Sequence, residues 1–204
     1  MSPDPLTLPL LTALVSFTVA SSITPGPNNI MLTTSGVNFG MARTVPHMAG
    51  IFTGLIIIML ATGFGLGFVF QEYPIVRRAV QATGIAYTLW LAWKIATAGS
   101  LGGGDAHHPH PMRFGAAVAF QWVNPKLWVM TITATALYVH PGHVARDVAL
   151  VTLVFSIINI PCMLIWAGFG VALRDFLKIP ARIRAFNMAM GLLLAASVVM
   201  LLNM

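Results

Sequence analysis

Six consecutive residues, Thr24-Pro25-Gly26-Pro27-Asn28-Asn29, set two prolines, a glycine and two amides directly after an apolar stretch. Proline has no N–H to donate, clashes with the preceding turn and drives the residue before it out of helical geometry. A helix entering this segment must therefore stop, leaving carbonyls without intrahelical partners. Lipid cannot satisfy such groups, so a break at membrane depth has to face protein or a water-filled cavity. Carbonyls, freed N–H groups and the Asn28 and Asn29 amides together are suited to a zwitterion. The same residues also suit a plain connection in which the asparagines cap a helix. A second break, Asn124-Pro125-Lys126, falls near the middle of another apolar stretch. A lysine at that depth is costly and normally points inward at a partner. Lys126 can meet a substrate carboxylate or cap the carbonyls that Pro125 frees. In a third stretch, Pro161 is expected to kink a helix, and Asn159 can bond across helices or touch a ligand.

The titratable residues are few. Asp4, Glu72, Asp105, Asp147 and Asp175 fall in connections or at the ends of apolar stretches, and His47 falls at an edge. Proton coupling would thus have to use Asp147, His47 or Lys126, and the pattern does not choose among them. His107, His108 and His110 form a cluster of the type that binds zinc or nickel. Prolines separate them and only Asp105 stands beside them, so a divalent-cation exporter is the alternative reading. No resident metal or cofactor is expected. Phosphate-binding glycine loops, nucleophile elbows and His-Glu-x-x-His are absent, so neither ATP use nor catalysis has support. A membrane scaffold or an intramembrane enzyme is the third reading.

These residues are positioned by a chain of 204 residues that is 57% hydrophobic and 8% charged. Soluble domains carry roughly a quarter charged residues, so this composition cannot clothe a water-facing surface. A spanning helix needs roughly 20 apolar residues. Six stretches qualify, 6–23, 47–70, 75–98, 113–139, 147–173 and 183–203, separated by breakers such as Pro74, Gly102-Gly103-Gly104, Pro141-Gly142 and Pro180. The pattern predicts an all-α integral membrane protein forming one transporter domain over 1–204. A five-span variant with one re-entrant segment is the competing count. The first stretch lacks a basic start and a small-residue cleavage site, so it reads as a membrane helix rather than a signal peptide. The net charge of +6 comes from bases scattered singly through connections, which sets orientation and does not imply nucleic acid. Arg43, Lys94, Arg113, Arg174, Lys178, Arg182 and Arg184 share one face, against Arg77, Arg78 and Arg146 on the other. The first face is expected to be cytoplasmic, with both termini outside. Cys162 is the only cysteine, so no intrachain disulfide can form.

Residues 1–98 and 113–204 each hold three stretches, joined by the loop 99–112. With an odd number per half, corresponding helices run oppositely, the inverted-repeat arrangement of many secondary transporters. Both halves open with a proline-broken stretch. Gly50/Gly54 and Gly63/Gly67 keep the spacing that permits close helix packing, and small-residue faces of this kind would also allow a homodimer.

The stretch Ser22 to Asn29, followed by Ser35-Gly36-Val37-Asn38-Phe39-Gly40 and Arg43-Thr44-Val45-Pro46-His47, resembles the signature of the LysE/RhtB family of bacterial amino-acid exporters. Asn124-Pro125-Lys126 matches that family's second hallmark, and Leu89 to Ala96 is similar to its third span. Within the family the chain is most similar to cysteine/O-acetylserine exporters, with homoserine, threonine and leucine carriers also similar. The histidine- and proline-containing central loop departs from the pattern. The resemblance implies a carrier in the bacterial cytoplasmic membrane that moves small amino acids outward, driven by the proton gradient. The partners expected are that substrate and the lipid bilayer. The two halves are expected to rock about a midplane site between the two breaks. Lys126 or a helix N-terminus would hold the carboxylate, and carbonyls freed by Pro25 and Pro27 would take the amino group.

Overall fold

The computed structural model describes residues 7–98 and 111–202, and among them every regular element is a helix. The first apolar stretch forms α1, Leu8–Ile23. Thr24 and Gly26 are extended, and the chain restarts at Pro27 as α2, Pro27–Phe39, bent 52° away from α1. Proline suits this first helical position because its missing N–H would have had no partner there. The expected connection 24–46 is thus mostly helix. After Gly40, whose φ of +79° is a left-handed conformation open to glycine, α3 runs Met41–Ala61. It starts six residues before the expected boundary at 47 and carries Pro46 without interruption. A π-helical turn, Thr62–Leu66, with Gly65 at φ +116°, leads into α4, Gly67–Glu72. Only Tyr73 separates α4 from α5, Pro74–Ala96.

The second half opens in the same way. Its first helices are α6, Phe114–Val123, and α7, Pro125–Tyr138, divided at Asn124, whose φ of −83° and ψ of 102° leave helical geometry. Then come α8, Val144–Leu173, unbroken through Pro161, a short 3₁₀ turn at Phe176–Lys178, and α9, Pro180–Leu202.

By length and composition, three helical stretches among the described residues can cross a membrane: Met41–Val69, α8 and α9. The bent pair α1–α2 makes a fourth if counted as one span. This is fewer than the six expected. The shortfall lies in α5, which carries Arg77, Arg78, Gln81 and Lys94, and in α6 and α7, each too short alone. The outer surface suits lipid: Ile157, Ile165, Phe169 and Leu192 project from α8 and α9 with more than half of their area uncovered. This is a multi-pass membrane protein.

Between helices in lipid the hydrophobic effect gives little, and close van der Waals packing has to hold the bundle. The helix α8 is central, lying against α1, α2, α3 and α7, while α3 packs on α6 and α5 on α9. Small residues permit the tightest crossings. A Cβ on Gly36 would run into the Ala167 carbonyl, and one on Gly170 into the Thr33 carbonyl, so α2 and α8 touch backbone to backbone. Thr33 Oγ1 adds a 3.1 Å hydrogen bond to the Trp166 carbonyl. The expected Gly50/Gly54 face packs on α6, against Phe114, Ala117 and Gln121. That contact is internal, so this face is not free for a second copy. Gly63 meets Val148, but Gly67 has no neighbour closer than 3.8 Å and is not a packing position.

Four apolar clusters result among the described residues, and two of them flank the site. One joins Leu55, Met59, Leu127, Met130 and Phe155; the other joins Leu32, Ile51, Ala117, Met163 and Ala167. The two helix breaks lie between them.

Candidate functional site

The first break is stitched by its own amide. Asn29 Nδ2 donates to the carbonyls of Ser22 at 2.8 Å and Thr24 at 2.9 Å, which the end of α1 leaves without helical donors. Thr24 Oγ1 turns back to the Ser21 carbonyl at 3.1 Å. The second break reaches across the molecule to the same point: Lys126 Nζ donates to the Thr24 carbonyl at 2.8 Å and to Thr24 Oγ1 at 3.0 Å. Lys126 therefore caps the break of the other half and not the carbonyls around Pro125. An ammonium has three donors and Thr24 takes two. Among the described residues no carboxylate pairs with Lys126.

Gly26 makes this approach possible. Its φ of −169° is ordinary extended backbone, so the requirement is for space: a Cβ there would lie 2.6 Å from Lys126 Cδ and 3.0 Å from Nζ.

A second set of bonds ties the breaks together. Asn28 Nδ2 donates to Gln121 Oε1 at 2.8 Å, and Gln121 Nε2 returns a bond to Asn28 Oδ1 at 3.1 Å. Gln121 Nε2 also donates to the Ala117 carbonyl at 3.0 Å, and Asn124 Nδ2 donates to Gln121 Oε1 at 3.3 Å. Gln121 is fully buried, and Gly54 of α3 leaves the room its stem occupies.

These residues surround a cavity of about 40 Å³. At about 10–15 Å³ for each water this is room for roughly three waters, less than an amino acid needs. Its polar lining includes Ser22, Asn28, Asn124, Lys126 and Asn159, and its apolar lining Ile51, Leu127, Met130 and Met163. Ser22 Oγ, Asn124 Oδ1 and Asn159 Oδ1 are buried without a hydrogen-bond partner. Buried polar atoms are rarely left so, and three on one cavity mark a place where a polar guest or water belongs. Both α2 and α7 begin at this cavity, so their unbonded first-turn N–H groups and positive dipole ends meet there.

Of the residues expected at the site, Gly26, Pro27, Asn28, Asn29, Asn124, Lys126 and Asn159 line the cavity. Thr24 stands just behind Lys126 as its acceptor, while Pro25, Pro125 and Pro161 lie outside the lining. Several carbonyls at the first break already take donors: Ser21 O from Thr24 Oγ1, Ser22 O from Asn29, and Thr24 O from Asn29 and Lys126. Gln121, Ser22 and the four apolar wall residues were not anticipated. For Gln121 the signal was present, because it is the one polar side chain between Phe114 and Val123.

Two titratable residues sit differently from expectation. His47 is buried in the second turn of α3, with neither ring nitrogen partnered among the described residues. Asp147 lies in the first turn of α8 as expected but is buried. It accepts from the His140 backbone N–H at 3.0 Å, lies 3.0 Å from His140 Nδ1, and pairs with Arg146 Nε at 3.2 Å. His107, His108 and His110, with Asp105, lie outside the described residues. Among the described residues no three of His, Cys, Asp and Glu come together as a metal site, and nothing found supports metal export.

The LysE type translocator family model matches residues 19–203. This chain belongs to that family. The relatives agree in kind. A cysteine/O-acetylserine efflux protein of Salmonella typhimurium is 31% identical over 163 residues, covering 79% of this chain and 82% of the relative. A cysteine/O-acetylserine efflux protein of Escherichia coli (strain K12) is 34% identical over 137 residues, covering 67% and 69%. No solved structure matches the chain. The family is one of translocators rather than enzymes, and two of the motifs that resembled it, Thr24-Pro25-Gly26-Pro27-Asn28-Asn29 and Asn124-Pro125-Lys126, are the two breaks that meet at the cavity.

Proposed function

We propose that this protein exports a small neutral amino acid of the cysteine and O-acetylserine type across the bacterial cytoplasmic membrane, driven by the proton gradient. The observation that carries the reading is Lys126: an ammonium held at the Thr24 carbonyl, beside a cavity, with one donor left over and, among the described residues, no carboxylate partner. A substrate carboxylate completes it. The first turns of α2 and α7 supply further N–H groups and a favourable dipole to the same anion. The translocator family and the names of its efflux relatives supply the substrate class.

In this reading the chain crosses six times, through α1–α2, α3–α4, α5, α6–α7, α8 and α9, as two inverted halves linked by residues 99–112. The matching break at the head of each half supports the repeat. The basic face, with Arg43, Arg113, Arg174 and Lys178, is cytoplasmic, and the termini are outside. Because the cavity is smaller than an amino acid, loading requires the halves to part, first on one side and then on the other. The bilayer and the substrate are the only partners the mechanism needs.

The test uses a bacterial strain lacking its own exporters and challenged with excess cysteine or a cysteine-containing dipeptide. The intact protein should confer resistance and lower intracellular cysteine, and Asn28→Ala and Lys126→Ala should each lose most of that effect. Unchanged resistance in both variants, at normal levels in the membrane, refutes the assignment of the site.

A further inference from the structure

The cavity has a polarity, and a residue that does not line it sets that polarity. Gln121 has a saturated amide. Its two N–H groups go to Asn28 Oδ1 and the Ala117 carbonyl, and its oxygen accepts from Asn28 and Asn124. Because the Gln121 oxygen accepts from Asn124 Nδ2, the Asn124 amide cannot turn over without losing that bond. Asn124 Oδ1 is thereby left buried and unpartnered at the cavity wall, as an acceptor. Asn159 Oδ1 and Ser22 Oγ, also buried and unpartnered, line the same cavity. The wall around Lys126 offers donors, whereas this second group offers oxygen lone pairs. At the first break the Ser22 and Thr24 carbonyls already take donors from Asn29 and Lys126.

We infer that Gln121 is a positioning residue that locks Asn124 as an acceptor, so that Asn124, Asn159 and Ser22 receive the α-ammonium group of a substrate whose carboxylate meets Lys126. The inference rests on the amino-acid exporter reading above and deepens it. The site selects the free zwitterion: an analogue blocked at nitrogen leaves the buried oxygens unpaired, and one blocked at the carboxylate leaves the lysine unpaired. Failure to pair a built-in polar group is a strong source of discrimination.

The experiment measures counterflow of labelled L-cysteine, kept reduced, in proteoliposomes of the full chain. The competitors are L-cysteine, N-acetyl-L-cysteine and L-cysteine methyl ester. With the intact protein, both blocked analogues should compete at least tenfold more weakly than L-cysteine. Gln121→Met should weaken competition by L-cysteine about tenfold while leaving N-acetyl-L-cysteine unchanged, so that discrimination at nitrogen disappears and discrimination against the ester stays. Gln121→Glu keeps an oxygen opposite Asn124 Nδ2 and should retain discrimination at nitrogen, which a purely structural role for the glutamine would not predict. A Gln121→Met protein that still rejects the N-acetyl compound as the intact one does overturns the inference. If that variant fails to assemble, Asn124→Leu is read by ligand-induced thermal stabilisation in detergent. Equal stabilisation by cysteine and its N-acetyl derivative supports the inference, and retained preference for cysteine overturns it. Loss of discrimination at the carboxylate instead, with selection at nitrogen intact, overturns the assigned polarity but leaves the exporter reading standing. Intact protein that gives no counterflow with any amino acid overturns both.

Discussion

Gly26 gives the sharpest access to the site, because its substitution acts on Lys126 without touching it. A methyl group at position 26 would stand 2.6 Å from Lys126 Cδ, 3.0 Å from Nζ and 3.3 Å from Cε. Carbon contacts near 3.5–4.0 Å are favourable, so something must move. The backbone of Gly26 is already extended and needs no change for alanine. The long lysine stem is the softer partner, and swinging it away breaks the bonds to Thr24 O and Oγ1. A hydrogen bond from a charged group is worth about 1.5–3 kcal/mol. At about 1.4 kcal/mol per decade, Gly26→Ala should lower kcat/KM for cysteine counterflow by about tenfold to about 150-fold. Lys126→Met should do the same, and the double variant should be no worse than either single one, since both remove one interaction. The assay is initial-rate counterflow in proteoliposomes, with thermal unfolding in detergent to establish that the variants are folded. A Gly26→Ala protein within about twofold of the intact rate would refute the reasoning. So would a double variant whose loss is the product of the single losses, because Gly26 and Lys126 would then act independently.

Three further predictions concern the frame. At Gly170 an added side chain meets the Thr33 backbone carbonyl and finds no flexible neighbour to displace, so Gly170→Val should destabilise by about 1–3 kcal/mol or more and lower the midpoint of thermal unfolding. Gly115 in α6 has nothing within 4 Å of its would-be Cβ, so Gly115→Ala should instead be neutral or stabilising by up to about 1 kcal/mol in the same assay. At the far end of α8, Asp147→Leu strips the His140 backbone N–H and Arg146 of their buried acceptor and should cost about 1–3 kcal/mol; an unfolding midpoint equal to that of the intact protein would show that this network is not structural.

The helix breaks were legible in the sequence because proline and glycine act locally. Pro25, Pro27 and Pro125 cannot donate to a preceding turn, and α1, α2, α6 and α7 end or begin beside them, whereas the lone Pro46 and Pro161 are carried inside α3 and α8. The helix α2 was hidden for the converse reason. Its residues include Asn28, Asn29, Thr33, Thr34, Ser35, Gly36 and Asn38, weak helix formers that lower the hydropathy and read as a connection. Tertiary contact overrides that preference. Gly36 lets the α8 backbone in, while Thr33, Thr34 and Asn38 spend their polar groups on carbonyls four residues back. The same override explains the span count, since hydropathy alone cannot separate a half-helix that ends inside the molecule from one that crosses.

What the sequence could not disclose is which polar group answers which. Lys126 finds Thr24 across 102 positions, and Gln121 finds Asn28 across 93. No local pattern encodes those pairings. A rule does follow from the physical chemistry. In an apolar helix each amide or charge must be satisfied by something, and a break elsewhere in the chain is the cheapest supplier of unpaired carbonyls and N–H groups. Gln121, a lone amide three residues before Asn124, should therefore have been read as belonging to the breaks, just as Lys126 was. Applied to both, the rule brings the two halves together at one point before any coordinates are known. It also explains why that point is polar in a molecule whose walls are Ile51, Leu127, Met130 and Met163. The chain keeps polar groups at depth because the breaks create a demand for them. Once that demand is met, the oxygens of Ser22, Asn124 and Asn159 and the third donor of Lys126 are left over, and these are the groups that the proposed site gives to a guest carrying both charges.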